Sequence, residues 1–289
     1  MGSIGSRVRT YASFVRVSHT VFALPFALVG AVLASRAHPL TWTRIAWIVG
    51  AMITARSAAM GFNRLADARH DALNPRTSMR ELPRGAMSRT EAVAFVAIAS
   101  VLFIVCAWQL GPLPLALSPV ALAIVFWYSL AKRVTSYTQF FLGLAMAVAP
   151  VGGWLAAGGP FFAAEPWLLA LAIGAWVGGF DILYACQDLA FDRAHGLHSI
   201  PVRFGVRASL LMSRACHVVT VASLAAIGFQ ASLGAVYMAG VAGVALLLVW
   251  EQSLVREHDL SQIKRAFDMN GYVGILYMAT TVVAVYVTG

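Results

Sequence analysis

Residues 44–71 read "RIAWIVGAMITARSAAMGFNRLADARHD". The first two thirds form an apolar run long enough to cross a bilayer, for which about 20 apolar residues suffice. The last third is a row of oxygen-bearing side chains. Asn63, Asp67 and Asp71 are spaced four apart, so a helix places all three on one face. A membrane helix that ends in stacked oxygen ligands fixes two expectations: an integral membrane fold, and a site at one membrane surface.

The rest of the chain supports the first expectation. Of 289 residues, 60% are hydrophobic and only 11% charged, against about 25% charged in a soluble domain. The apolar runs are continuous rather than alternating, which favours helices over a barrel. Nine spans are expected, near 18–35, 44–62, 91–110, 113–131, 138–157, 166–187, 208–229, 232–250 and 270–288, forming one transmembrane domain over 1–289. The opening "MGSIGSRVRTYASFVRVSHT" leads into a retained span rather than a cleavable signal. Cys106, Cys186 and Cys216 have no metal-motif spacing and read as small packing residues.

The net charge of +9 could suggest nucleic acid, but the positions of the charges argue otherwise. Arg7, Arg9 and Arg16 precede the first span. Arg64, Arg69, Arg76, Arg80, Arg84 and Arg89 follow the second, and Lys132 and Arg133 the fourth. Arg193, Arg203, Arg207 and Arg214 follow the sixth, and Arg256, Lys264 and Arg265 the eighth. The opposite side carries only Arg36 and Arg44, and Arg56 lies inside a span. The positive-inside rule then puts the N-terminus and the even-numbered loops in the cytoplasm and the C-terminus outside. The basic character is topology, and no nucleic-acid partner is required.

A second acidic row ends the sixth span, in "GFDILYACQDLAFDRAHGLHSIPVRFG", residues 179–205. Asp181, Tyr184, Asp188 and Asp192 are spaced 3, 4 and 4, so they also share one helix face. Asp67 and Asp188 are 121 residues apart, as are Asp71 and Asp192, which suggests a parallel repeat of four-helix units. Carboxylates near helix C-termini oppose the macrodipole, and carboxylates four apart repel one another. A cation must offset this. Oxygen-only donors without Cys or His at matching spacing select Mg²⁺ over softer metals. Mg²⁺ shares its shell with phosphates, and Arg76, Arg80, Arg84, Lys132 and Arg203 lie in three loops on the same side. Two acidic rows with basic loops make a diphosphate clamp. Arg56, seven residues before Asn63, lies about 10 Å deeper on nearly the same face. It is expected to pair with Asp181 or a helix carbonyl, or to grip a substrate carboxylate.

These motifs resemble the UbiA superfamily of intramembrane aromatic prenyltransferases: NxxxDxxxD after the second span, DxxYxxxDxxxD after the sixth, "RELPRG" at 80–85 and "YSLAKR" at 128–133. The flanks "HTVFALPFAL" and "FNRLADARHDALNPRT" are similar to the 4-hydroxybenzoate polyprenyltransferase-like branch, part of which serves menaquinone synthesis by the futalosine route. The resemblance implies an all-α ring of nine helices around a central cavity, with cytoplasmic cap loops. It implies Mg²⁺-dependent transfer of a polyprenyl group from its diphosphate to an aromatic acid in a bacterial-type inner membrane. Asn63, Asp67 and Asp71 would hold one Mg²⁺, and Asp188 and Asp192 the other. Lys132 and Arg80 would face the diphosphate, with Asp181 deeper, beside the reacting carbon or the acceptor, Arg56 on the acceptor carboxylate, and Tyr184 and Arg203 among the substrate-binding residues. Many relatives carry Asp after the first-motif Asn, where this chain has Arg64. Phe22, Phe26, Phe126 and Tyr128 are candidates to line a prenyl channel.

Competing readings are weaker. A transporter would place polar groups at the bilayer midplane rather than at one surface. A CDP-alcohol phosphotransferase would need DxxDGxxAR, which is absent. The haem and chlorophyll branches of the superfamily match the flanking motifs less well.

Overall fold

The computed structural model describes residues 4–15, 24–75 and 77–287. Its helices are α1 (Ile4–Phe14), α2 (Leu24–Ala34), α3 (Trp42–Leu73), α4 (Arg89–Leu110), α5 (Pro112–Ala131) and α6 (Thr138–Ala156). They continue as α7 (Ala164–Ala185), α8 (Leu189–Ala194), α9 (Ile200–Gln230), α10 (Gly234–Leu254) and α11 (Ile263–Tyr286). Among the described residues, eight segments, one of them α7 continued through α8, are long and apolar enough to cross a membrane. The first expected span, 18–35, is described only from Leu24, as an 11-residue apolar helix. Phe22 and Arg76, singled out in the sequence, lie outside the described residues.

Successive membrane helices pack side by side, and α11 returns to α2, which also touches α3, so the ring closes. It is all-α, as expected, but it is not evenly hollow. α2 packs across the ring onto α6, where a Cβ on Gly30 would lie 2.1 Å from the Pro150 carbonyl oxygen, and one on Gly153 1.9 Å from that of Ala27. Only glycine lets two membrane helices approach this closely. Together with Phe26, Trp176 and Tyr277, this contact fills the half of the ring next to α11. The open space is left between α3 and α7.

Two helices depart from expectation in ways that matter. α3 has 32 residues and is therefore about 48 Å long, against a hydrocarbon core of about 30 Å. Its last turns project beyond the apolar layer and carry Asp67 and Asp71. The expected straight helix through Asp181, Tyr184, Asp188 and Asp192 is not present. α7 stops at Ala185, Cys186–Asp188 form a 3₁₀ turn, and α8 follows. A 3₁₀ turn advances about 120° per residue instead of about 100°, so Asp188 and Asp192 are re-aimed relative to Asp181.

Candidate active site

Two connected sets of residues define the site. A small cavity of about 140 Å³ is lined by Asn63, Asp67, His70 and Asp71 of α3, Arg80 of the 74–88 cap, Lys132, and Asp188 and Asp192. A large cavity of about 830 Å³ shares Asn63, Arg80, Lys132, Asp188 and Asp192 with it. It continues past Asp181 and Tyr184 to Arg56 and Tyr128, and then through aliphatic side chains of α3–α7. Val120, Leu144 and Trp167 line it and are also 54%, 48% and 45% exposed on the outer face, so the cavity opens sideways toward lipid.

The basic loops are brought onto the first acidic row. Asp67 is buried, at 4% exposure, and accepts from the Lys132 ammonium at 2.8 Å, the Arg133 guanidinium at 3.4 Å and the Asn63 amide at 3.3 Å. Arg133 also donates to the Ala66 carbonyl. Asp71, equally buried, receives Arg80 Nη1 on both oxygens, at 2.8 and 2.7 Å. Across the cavity, the loop before α9 is pinned to the same cation loop: the His198 N–H donates to the Lys132 carbonyl at 2.9 Å, and the Ile200 N–H to Gln139 Oε1 at 3.4 Å.

Among the described residues, no three His, Cys, Asp or Glu side chains converge as a ready-made metal cage. The carboxylates of the first row hold cationic nitrogens instead. The donor set nevertheless fits hard divalent cations. It consists of oxygens only, from an amide and four carboxylates, around one small cavity. Those oxygens already attract positive charge at hydrogen-bond distance. Four carboxylates on one small cavity repel one another, and added divalent cations would relieve that repulsion.

Of the residues expected at the site from the sequence, Arg56, Asn63, Asp67, Asp71, Arg80, Lys132, Asp181, Tyr184, Asp188 and Asp192 line one or both cavities, and Arg84 and Arg203 line neither. Arg203 is exposed and lies over the rings of Tyr137 and Phe204, at 5.6 and 5.1 Å. It sits on the short segment before Gly205, whose φ of +79° kinks α9. Arg56 Nε has no hydrogen-bond partner, and no ion pair with Asp181 forms. Arg64, one residue past Asn63, is buried and turned away from the acidic row. Its Nε donates to the Phe14 carbonyl at 3.4 Å and ties α1 to α3. Of the prenyl-channel candidates, Tyr128 lines the large cavity. Phe26 belongs to the packed half, and Phe126 stacks on Phe62 at 4.6 Å.

The sequence reading overlooked His70, Gln139, His198 and Ser199, all of which line a cavity. His70 was legible, because it follows Asn63 by seven residues and shares its face. Ser199 is buried at the N-terminus of α9 without capping it, and its hydroxyl has no partner. Gln139 and His198 reach the site through the packing of separate helices, which no local pattern encodes.

The UbiA prenyltransferase family model matches residues 23–276. The chain belongs to the UbiA prenyltransferase family. A 4-hydroxybenzoate octaprenyltransferase of Vibrio atlanticus (strain LGP32) is 29% identical over 282 residues, covering 96% of this chain and 97% of that protein. The Sodalis glossinidius (strain morsitans) protein of the same name is 33% identical over 250 residues, covering 84% and 83%. Among solved structures, the apo form of a UbiA homolog from Aeropyrum pernix K1 is 37% identical and superimposes with a TM-score of 0.84, covering 92% of this chain and 98% of that one. A UbiA homolog from Archaeoglobus fulgidus bound to GPP and Mg²⁺ shares the fold, with a TM-score of 0.71 at 20% identity, covering 96% and 100%. This UbiA-family chain is thus an integral membrane prenyltransferase.

Proposed function

We propose that this protein transfers a polyprenyl group from polyprenyl diphosphate to the ring of an aromatic acid, of the 4-hydroxybenzoate or dihydroxynaphthoate type, in quinone synthesis. The observation that carries this is the meeting of both acidic rows with Lys132 and Arg80 in one small cavity, continuous with an apolar cavity that holds Arg56 and opens to lipid. The names of the relatives support 4-hydroxybenzoate as the acceptor to test first.

Asn63, Asp67 and Asp71 would hold one Mg²⁺, and Asp188 and Asp192 the other. When bound, Mg²⁺ neutralises the diphosphate and makes it a better leaving group. Lys132 and Arg80 then exchange their carboxylate partners for phosphate oxygens and stabilise the charge that develops as the allylic C–O bond breaks. Arg56, which lines the large cavity, binds the acceptor carboxylate. Asp181 and Tyr184 lie on the wall between these groups, where the ring carbon bonds to the prenyl carbon and a ring proton is lost. Asp181 steadies the positive charge and receives that proton. The aliphatic lining takes the prenyl chain and keeps water from the allylic cation. The N-terminus and the loops bearing the acidic rows face the cytoplasm, and the C-terminus faces outward, following the distribution of Arg and Lys.

The test is to incubate the purified protein in liposomes with a labelled polyprenyl diphosphate and 4-hydroxybenzoate or 1,4-dihydroxy-2-naphthoate, with and without a divalent chelator. Metal-dependent label on an aromatic acid is expected. No label on either acid, in preparations that bind the diphosphate, would refute the acceptor class.

A further inference from the structure

A buried polar chain runs behind the cavity wall and is used by none of the roles above. The Trp176 indole N–H on α7 donates to Asn270 Oδ1 on α11 at 2.7 Å. Asn270 Nδ2 donates to Glu251 Oε1 on α10 at 3.2 Å. Exposure is 1% at Trp176, 0% at Asn270 and 1% at Glu251, and Glu251 Oε2 has no partner at all. A carboxyl and an amide buried within a membrane bundle are costly unless the structure uses them, so this chain calls for a role.

Its position supplies one. On α7, Trp176 lies five residues before Asp181, which at 3.6 residues per turn puts the two side chains about 140° apart around the axis. The indole therefore points to α11 while Asp181 points into the cavity. Fixing one fixes the other, because the backbone between them is continuous helix. The aromatic wall is tied to the same point. Trp176 packs edge-on against Phe180 at 5.2 Å, Phe180 against Phe267 at 5.6 Å, and Phe267 against Tyr184 at 4.7 Å. Phe180, Phe267, Tyr184 and Asp181 all line the large cavity. Asn270 stands three residues after Phe267, on the same stripe of α11.

We propose that Asn270, oriented by Glu251, is a positioning residue for the acceptor half of the reaction: by holding the Trp176 indole it sets the rotation of α7, and so aims Asp181 and the Phe180–Phe267–Tyr184 wall at the acceptor ring. This rests on the aromatic-acid reading above. The diphosphate half hangs on α3, the Cys186–Asp188 turn, α8 and the cap loops instead, beyond the break that ends α7 at Ala185.

The test compares Asn270→Ala, Trp176→Phe, Glu251→Ala and Glu251→Gln as full-length protein in liposomes, with rates normalised to the folded fraction. Asn270→Ala, Trp176→Phe and Glu251→Ala are expected to lower kcat/KM for the aromatic acid about tenfold, equivalent to about 1.4 kcal/mol of lost transition-state stabilisation. KM for the prenyl diphosphate should stay within about twofold, because its ligands are untouched. Glu251→Gln should retain wild-type behaviour, since its amide oxygen still accepts from Asn270. Trp176→Phe keeps the ring packing and guards against loss of folding in the alanine variants. A lowered Tm with unchanged kinetics per folded molecule would overturn the proposal, and so would both KM values moving together, or a Glu251→Gln variant as impaired as Glu251→Ala. A wild type inactive toward every aromatic acid would instead overturn the functional reading on which the inference rests.

Discussion

Replacing Asp67 tests the heart of the site. This carboxylate holds three neighbouring side chains: Lys132 at 2.8 Å, Arg133 at 3.4 Å and Asn63 at 3.3 Å. Four carboxylates, Arg80 and Lys132 line the small cavity, and Arg133 also reaches Asp67. A diphosphate brings about three negative charges at neutral pH, and two divalent cations supply four positive charges in return. Asp67→Ala removes one ligand and one of the charges that would hold those cations, and it frees Lys132 and Arg133 from their partner. Loss of one group stabilising transition-state charge costs about 2.7–4 kcal/mol, or about 100- to 1,000-fold in kcat. Asp67→Asn keeps the shape and the Asn63 contact while removing the charge, so it should be nearly as impaired. The assay is steady-state transfer of labelled prenyl diphosphate to 4-hydroxybenzoate at buffered free Mg²⁺, alongside Tm to confirm folding. If Asp67→Ala kept kcat within about fivefold of wild type at every Mg²⁺ concentration, that result would falsify the assignment of α3 as a metal-holding row.

Other outcomes follow from the same geometry. Lys132→Ala and Arg80→Ala should raise KM for the prenyl diphosphate about tenfold or more, the worth of a charge-assisted hydrogen bond, while KM for the acceptor changes little; initial-rate kinetics with each substrate varied in turn would reveal the opposite pattern if these residues served the acceptor. Arg56→Ala should abolish the preference of the wild type for an aromatic acid over its decarboxylated analogue, a difference of about tenfold to a hundredfold for a charged partner; a wild type indifferent to the carboxylate removes Arg56 from acceptor binding.

The legible part of this protein was its periodicity. Continuous apolar runs in a poorly charged chain specify membrane helices, because hydrocarbon leaves the backbone few alternatives to satisfying its own hydrogen bonds. The spacing of four between Asn63, Asp67 and Asp71 placed the first row on one face of α3, and both Asp67 and Asp71 do line the small cavity. The row survives because α3 is unbroken to Leu73. The same logic applied to Asp181, Tyr184, Asp188 and Asp192 expected one straight helix, and there the chain inserts a 3₁₀ turn at Cys186–Asp188. Nothing in "YACQDLAF" announces that break, since it contains neither glycine nor proline.

Charge alone misplaced Arg203. It is one of several basic residues on the expected cytoplasmic side, and sequence gave no means to separate a cation over a cavity from a cation over Tyr137 and Phe204. Arg64 shows the reverse case. One residue of helix turns a side chain by about 100°, so a substitution that looked like a change of charge at the metal row is a tether to Phe14.

By itself, then, the sequence determined eight of the nine expected membrane segments, that the first acidic row shares a face, and that hard cations and phosphate suit the donors; each is a property of local spacing and side-chain chemistry. Only the tertiary structure decided that α2 closes half the ring through Gly30 and Gly153, that the cavity lies between α3 and α7, and that Gln139, His198 and Ser199 border it. It also joined Trp176, Asn270 and Glu251, from three helices, into one chain. Such contacts depend on how rigid helices rotate and cross, and that is set by the summed packing of residues far apart in the chain rather than by any pattern within one segment.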